Sequence, residues 1–250
     1  MQTNTLKQKL AAGGTATVVA PVATSAGLVE LLGHFGFDGV FIDCEHGPAG
    51  WEDVEHMVRA AEVAGYSSVV RVDRNDVATI TRALDRGAGG VQVPHVNTAS
   101  EAEAVVQHAK YAPRGQRGWS GWRAVLGEDP AEFAARANAQ TLVVVMLEET
   151  EALANLDAIL VVKDIDVFFV APGDLAQSMG LPGQTNHPQV VAAMEDALRR
   201  IRRAGRVAGT LTTPQLLDRH LELGVQFLYV GLASLLQPAS ADFVRRVHGG

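Results

Sequence analysis

The sequence predicts an α/β fold, a (β/α)8 barrel of the TIM type formed as one domain over residues 1–250. Three observations carry this. Short β-branched runs alternate with amphipathic helical stretches from one end of the chain to the other, and Gly, Pro, Asn or Asp sits at the joints, a pattern of parallel strands. There are eight such runs, enough to close a barrel. The chain has 250 residues, 47% of them hydrophobic and evenly spread, which is a length that barrels use as a single unit.

In order, the strands are expected near Thr17–Ala20, Gly39–Asp43, Ser68–Arg71, Gly90–Pro94, Leu142–Glu148, Val167–Val170, Arg206–Thr210 and Phe227–Val230. The helix expected from about Pro188 to Arg203 shows the pattern of the rest. Val190, Val191, Met194, Ala197, Leu198 and Ile201 recur at helical spacing, and four arginines solvate the opposite face. Asn186 is its expected cap and Gly205 its stop; Gly65, Gly87 and Gly224 stand where other helices must end before a strand. The stretch from Tyr111 to Ala139 is too long for an ordinary connection and reads as a long functional loop plus a helix. There is no linker, repeat or low-complexity tract.

Composition bounds the partners. A net charge of −7 argues against a nucleic acid, which needs clustered Lys and Arg against its phosphates, but leaves small anions open to a local Arg or metal. No apolar run is long enough to cross a bilayer and no signal segment opens the chain, so a cytoplasmic protein with no membrane partner is expected. The single cysteine, Cys44, fits a reducing compartment and reads as a small packed residue.

In such a barrel the chemistry comes from strand C-termini and the loops after them. Polar residues collect there: Asp43-Cys44-Glu45-His46-Gly47-Pro48 after strand two, Arg71 at the end of strand three, Glu148 and Glu149 after strand five, and Ala171-Pro172-Gly173-Asp174 after strand six. Arg71 ends an apolar strand, where a guanidinium needs an anion: a substrate, or Asp43 or Asp73. The loop 171–175 runs straight into a helix expected to begin at Leu175. Its N–H groups at Gly173 and Asp174 would face an anion such as a substrate carboxylate, with Asp174 alternatively a plain N-cap. Glu148 could be a helix N-terminal carboxylate favoured by the dipole. Gly87-Ala88-Gly89-Gly90 precedes a strand and is therefore no dinucleotide loop.

The order and spacing of six segments resemble the HpcH/HpaI aldolase family, class II pyruvate aldolases related to the 2-keto-3-deoxyglucarate aldolases: DCEHGP at 43–48, RVDRND at 71–76, LDRGAGGVQVPHVNTASEA at 84–102, YAPRGQRG at 111–118, LEETEALANLDAIL at 147–160 and APGDLAQSMG at 171–180. The resemblance implies that Glu148 and Asp174 hold a divalent metal. Hard carboxylate oxygens without His or Cys suit Mg2+, Mn2+ or Co2+ and leave positions for a chelating keto acid. It implies that His46 is the catalytic base, acting on the substrate hydroxyl or a methyl proton through a water on the metal, with Asp85 as the carboxylate that orients it; a loop histidine and a solvated helix aspartate are the bland alternatives. It makes Arg71 the donor to the developing enolate oxygen.

The implied reaction is reversible retro-aldol cleavage of a 4-hydroxy-2-keto acid to pyruvate and an aldehyde, without a Schiff-base lysine; Lys163 is the one interior candidate the sequence offers. The implied assembly is a hexamer, a trimer of dimers, that exchanges C-terminal helices bearing Leu235 and Leu236. Three rivals stand beside it. Oxaloacetate decarboxylation passes through the same enolate. A citrate-lyase-like reaction on acyl-CoA would need a basic cluster for phosphates, which the sequence lacks. A non-catalytic metabolite-binding barrel would need no base. The chain also departs from the family pattern. Met146 replaces a glutamine two residues before the metal glutamate, His95 stands where an apolar residue is common, and Trp119 and Trp122 enrich the long loop, where they could shape the pocket or serve core and subunit contacts.

Overall fold

The computed structural model describes residues 3–121 and 123–248. Among them, eight strands form: β1 (Ala16–Ala20), β2 (Gly39–Asp43), β3 (Ser67–Arg71), β4 (Gly90–Val93), β5 (Leu142–Leu147), β6 (Val167–Val170), β7 (Ala208–Thr212) and β8 (Phe227–Gly231). Each pairs in parallel with the next, and β8 pairs with β1 from Ala16↔Phe227 to Ala20↔Gly231, so the barrel closes. The helices are α1 (Thr5–Ala11), α2 (Ala26–His34), α3 (Trp51–Val63), α4 (Val77–Asp85), α5 (Ala99–Ala109), α6 (Pro130–Gln140), α7 (Thr150–Ala154), α8 (Leu156–Leu160), α9 (Pro172–Ser178), α10 (Pro188–Arg203), α11 (Leu217–Glu222) and α12 (Leu232–His248).

The strands are buried on both faces, which is why they read as unbroken apolar runs: all six residues of β5 are buried. One face fills the barrel, where Val18, Phe41, Val69, Val144, Met146, Val167, Phe169 and Phe227 form a cluster closed from below by Leu6 and Leu10 of α1. The other face packs under the helices. The seventh strand begins two residues later than its sequence predicts. Arg206 turns its guanidinium onto the carbonyls of Val162 and Ile165 at 2.8 and 3.2 Å and so anchors the turn before the strand instead of extending it.

The helix α10 spans its predicted residues, but His187 caps it: its Nδ1 accepts from the Gln189 N–H at 3.3 Å, with Pro188 as the first helical residue, so the cap falls one position after Asn186. Gly205 ends it at φ +72°, the left-handed conformation that glycine adopts without strain. The long connection after α5 holds a single turn at Arg123–Val125 and then α6. Trp119 packs there on Tyr111 and Phe133, with ring centroids 5.6 and 6.0 Å apart, at the N-terminal end of the barrel. Trp122 lies outside the described residues.

Candidate active site

At the C-terminal end of β2 the chain folds back on Asp43, whose Oδ1 accepts from the N–H groups of Glu45 at 3.0 Å and His46 at 3.3 Å. Gly47 is required by this turn, since a Cβ there would sit 2.4 Å from the Asp43 carbonyl oxygen. The turn throws Glu45 inward beside Arg71 at the end of β3. Arg71 donates to Asp43 through Nε at 2.9 Å and Nη2 at 2.6 Å, and its Nη1 lies 3.0 Å from Glu45. Asp43, not Asp73, is thus its intramolecular partner; Asp73 pairs with Arg74. Burial would raise the Asp43 carboxyl, but the Arg71 guanidinium outweighs it and holds the group below the usual carboxylate range. Three of the five guanidinium N–H groups are used in these contacts, and Arg71 still lines the cavity described below.

Two strands further on, Glu148 follows β5 with 1% of its surface exposed. It is not a helix cap. Its Oε1 accepts the His95 N–H at 2.7 Å, and among the described residues the carboxylate makes no other hydrogen bond. His95 reaches it from the loop after β4 in the left-handed region, φ +56°. Its Nδ1 lies 2.8 Å from Glu149 and 3.4 Å from Glu148, and its Nε2 lies 3.5 Å from Glu45, so the ring sits among three carboxylates. Burial pushes the Glu148 carboxyl up to about 7, and the negative charges of Asp174 and Glu45 add to this against the opposing pull of His95. Glu149 accepts from His95 and from Asn97 Nδ2, 2.8 Å each, at the edge of the site.

Asp174 is in the first turn of α9, which begins at Pro172, so it is the third residue of that helix and not its cap. Its carboxylate has no ion-pair or hydrogen-bond partner among the described residues. The N–H groups of Gly173 and Asp174 are first-turn donors without an intrahelical acceptor. A cavity of about 640 Å3 opens here, lined by Arg71, Gln92, Met146, Phe169, Gly173, Asp174 and Tyr229 and, toward α10 and α11, by Asn186, Glu195, Gln215 and Arg219. Among the described residues Glu148 and Asp174 are thus two neighbouring carboxylates without a Lys or Arg partner, with the His95 imidazole 3.4 Å from Glu148, while the nearest guanidinium is spent on Asp43 and Glu45. That donor set fits a hard divalent cation completed by water and substrate oxygens.

Of the residues singled out from the sequence, Arg71, Glu148, Gly173 and Asp174 meet at this rim, with His46 exposed at its edge, 3.8 Å from Glu45. Asp85 does not. As the last residue of α4 it lies at the opposite end of the barrel, where its Oδ1 accepts from Arg117 Nη2 at 2.7 Å, so no contact with His46 forms within one chain. Helices run antiparallel to the strands, which puts their last residues at the strands' starting ends. Among the described residues of the Tyr111–Ala139 stretch none lines the cavity, Trp119 included. Burial beside Asp43, Asp73 and Asp53 pushes the Cys44 thiol up to about 11, leaving it a packed, unreactive group. Lys163 is exposed; the interior lysine is Lys110, fully buried at the N-terminal end and bonded to the Asn138 and Thr141 carbonyls, so among the described residues no lysine lines the cavity. Gln92 and Glu45, to which the sequence alone gave no task, both belong to the site.

A profile of the HpcH/HpaI aldolase/citrate lyase family matches residues 20–235. The chain belongs to this family. Among its HpcH/HpaI relatives, it is 37% identical to the hydroxypyruvate/pyruvate aldolase of Pseudomonas aeruginosa across 99% of this chain and 94% of that one. It is 36% identical to the 2-keto-3-deoxy-L-rhamnonate aldolase of Salmonella gallinarum, over 96% and 91% of the two chains. The crystal structure of an HpcH/HpaI aldolase from Desulfitobacterium hafniense superposes with a TM-score of 0.88 at 32% identity, covering 97% of this chain and 96% of that one. The match extends through the strand ends that carry Arg71, Glu148 and Asp174, and the closed parallel barrel is the fold that the resemblance implied.

Proposed function

We propose that this chain is a divalent-metal-dependent carbon–carbon lyase that cleaves a 4-hydroxy-2-keto acid reversibly to pyruvate, or a related 2-keto acid, and an aldehyde. The observation that carries the reading is the pairing of Glu148 and Asp174, two neighbouring carboxylates without a Lys or Arg partner among the described residues, with Asp174 lining a 640 Å3 cavity that Arg71 also faces. A cation there, Mg2+, Mn2+ or Co2+, would supply Lewis acidity toward the keto carbonyl. The protein's own groups do the rest. Arg71, fixed by Asp43 and Glu45, aims its remaining N–H groups at the oxygen that gains charge as the C3–C4 bond breaks, donors oriented before the reaction begins. The N–H groups of Gly173 and Asp174 offer a seat for the substrate carboxylate. His46, at the mouth, takes the 4-hydroxyl proton on its imidazole and returns it in the reverse direction. Met146, Phe169 and Tyr229 wall the donor carbon from water.

The pairing of Asp85 with His46 belongs, in this reading, to two copies of the chain: Asp85 at the base of one barrel meets His46 at the rim of a neighbour. The final helix supports an oligomer. Of its residues only Leu232 is buried, while Leu236, Phe243, Val244 and Val247 are 50 to 69% exposed, an apolar face that a second copy would cover in an exchanged-helix hexamer. Among the described residues no helix is long and apolar enough to cross a membrane, in keeping with a cytoplasmic enzyme.

The test is pyruvate release from 4-hydroxy-2-keto acids by EDTA-stripped protein with and without added Mg2+ or Mn2+, with oxaloacetate in parallel. Metal-restored release, lost in Glu148→Gln, is expected. Activity on oxaloacetate alone would make the chain a decarboxylase, and metal-independent turnover would remove Glu148 and Asp174 from the role given them.

A further inference from the structure

The proton that leaves the 4-hydroxyl goes to His46, but the cleaved donor needs a proton of its own. Breaking the C3–C4 bond leaves an enolate, and pyruvate forms only when its C3 is protonated. In the aldolase reading above, on which this inference rests, the charged groups of the site surround the other end of that molecule. Arg71 at the end of β3 and the Glu148–Asp174 pair after β5 and β6 belong to the keto oxygen, and the N–H groups of Gly173 and Asp174 to the carboxylate. The donor carbon is left to the remaining arc of the barrel, β7, β8 and β1.

Tyr229 supplies the polar group of that arc. It pairs in register with Val18 of β1 and Leu211 of β7, so the three side chains point into the barrel together, and of them only Tyr229 is polar. Its ring is held edge-on against Phe41 and Phe169, with centroids 4.6 and 6.3 Å apart. The Arg71 guanidinium lies over the same Phe41 ring at 5.7 Å, so phenol and guanidinium flank one aromatic. Although it projects into the barrel, Tyr229 is only half-buried, open to the cavity that it lines. Among the described residues its hydroxyl has no hydrogen-bond partner. Burial raises the phenol above its ordinary pKa, while Arg71 pulls the other way, toward the phenolate. The group is thus protonated when the enolate forms and has a cation in reach once its proton is gone.

We propose that Tyr229 is a further catalytic residue, the acid that delivers a proton to C3 of the enolate. The C2–C3 π pair takes the phenolic proton, the electrons of the O–H bond stay on the Tyr229 oxygen beside Arg71, and the keto group re-forms. After pyruvate leaves, the phenolate regains a proton from solvent and His46 gives up the one it took. Each turnover therefore moves one proton, in sum, from the 4-hydroxyl to C3. Condensation runs the same transfer backwards.

Two measurements on the Mg2+-loaded protein separate the transfer of this proton from the breaking of the carbon–carbon bond. Exchange of the C3 protons of pyruvate in D2O, followed by proton NMR, requires the transfer. Release of CO2 from oxaloacetate forms the enolate without it. In Tyr229→Phe, which keeps the ring and its stacking, the ratio of C3 exchange to CO2 release is expected to fall by about 100-fold, as removal of a general acid does. A hydroxyl that only braces the cavity would lower the two rates together. C3 exchange within about threefold of wild type, or a loss of CO2 release that matches the loss of exchange, overturns the assignment. Wild-type protein that performs neither reaction overturns the aldolase reading itself.

Discussion

The two ends of the barrel treat buried charge in opposite ways. At the N-terminal end the buried charged groups have hydrogen-bond partners within the chain. Lys7 Nζ donates to the Thr141 carbonyl at 2.9 Å and to Asp166 at 3.0 Å, and the same Asp166 oxygen accepts the Val143 N–H at 2.8 Å. Asn4 ties α1 to Gly89, Gln140 and Ser67. Even Lys110, whose burial pushes its ammonium down to about 7, is held by two carbonyls at 2.8 and 3.0 Å. At the C-terminal end Glu148 and Asp174 stand together without a Lys or Arg partner among the described residues, and burial drives the Glu148 carboxyl up to about 7. One end closes the fold; the other keeps an unmatched charge that a ligand can complete, at the expense of stability in the free protein.

Glu148→Gln should separate the two ends most sharply. It should lower metal-dependent turnover by more than about 100-fold, as loss of a group that stabilises transition-state charge does. The same change should stabilise the metal-free protein. The Glu148 carboxyl is raised in the folded state from 4.5 to about 7, so the folded protein holds the proton more tightly than the unfolded chain does between those values. Wild-type stability therefore falls as pH rises through that window, and the cost of the ionised carboxylate is complete above about 7. The glutamine should gain almost nothing at pH 4.5 and roughly 3 kcal/mol at pH 8. Urea unfolding of both proteins in EDTA at the two pH values measures it; equal gains at both would show that repacking, not charge, is responsible.

The same reasoning reverses sign at the base. Asp166→Ala removes the acceptor of Lys7 and of the Val143 N–H, so it should cost about 1–3 kcal/mol near neutral pH and leave turnover by the remaining folded enzyme unchanged. A loss of activity at full folding would mean that the two ends are coupled.

Much of this contrast was legible in the sequence, and what was not has physical causes. The strands are largely buried and rich in β-branched residues, and seven of the eight begin within one residue of their predicted starts. Arg71, Glu148 and Asp174 could be placed because a strand end fixes which rim a residue occupies. Asp85 could not be placed with His46, because a carboxylate at a helix C-terminus lies across the barrel from a residue that follows a strand. Gln92 left a signal, one polar residue inside the apolar run Val91-Gln92-Val93, but its place opposite Val144 depends on how β4 and β5 pair, which no local pattern contains. Lys110, at the end of an amphipathic helix, reads as solvent-facing and becomes interior only when α6 brings its last carbonyls over it.

His95 shows the smallest effect and the finest test of how the rim is built. At φ +56° it holds a conformation that costs an L-residue about 1–2 kcal/mol, and that turn directs its N–H at Glu148 from 2.7 Å. Gly keeps both the conformation and the N–H while deleting the ring; Asn tolerates the same backbone; a β-branched residue does not. The expected order of stability in EDTA is therefore His95→Gly at or above His95→Asn, with His95→Val lower by about 1–2 kcal/mol, read from urea midpoints. Loss of the ring removes a hydrogen bond to Glu149 in all three, so it cancels from the comparison among them. If Val matches Gly, the left-handed turn is not what presents the N–H to Glu148.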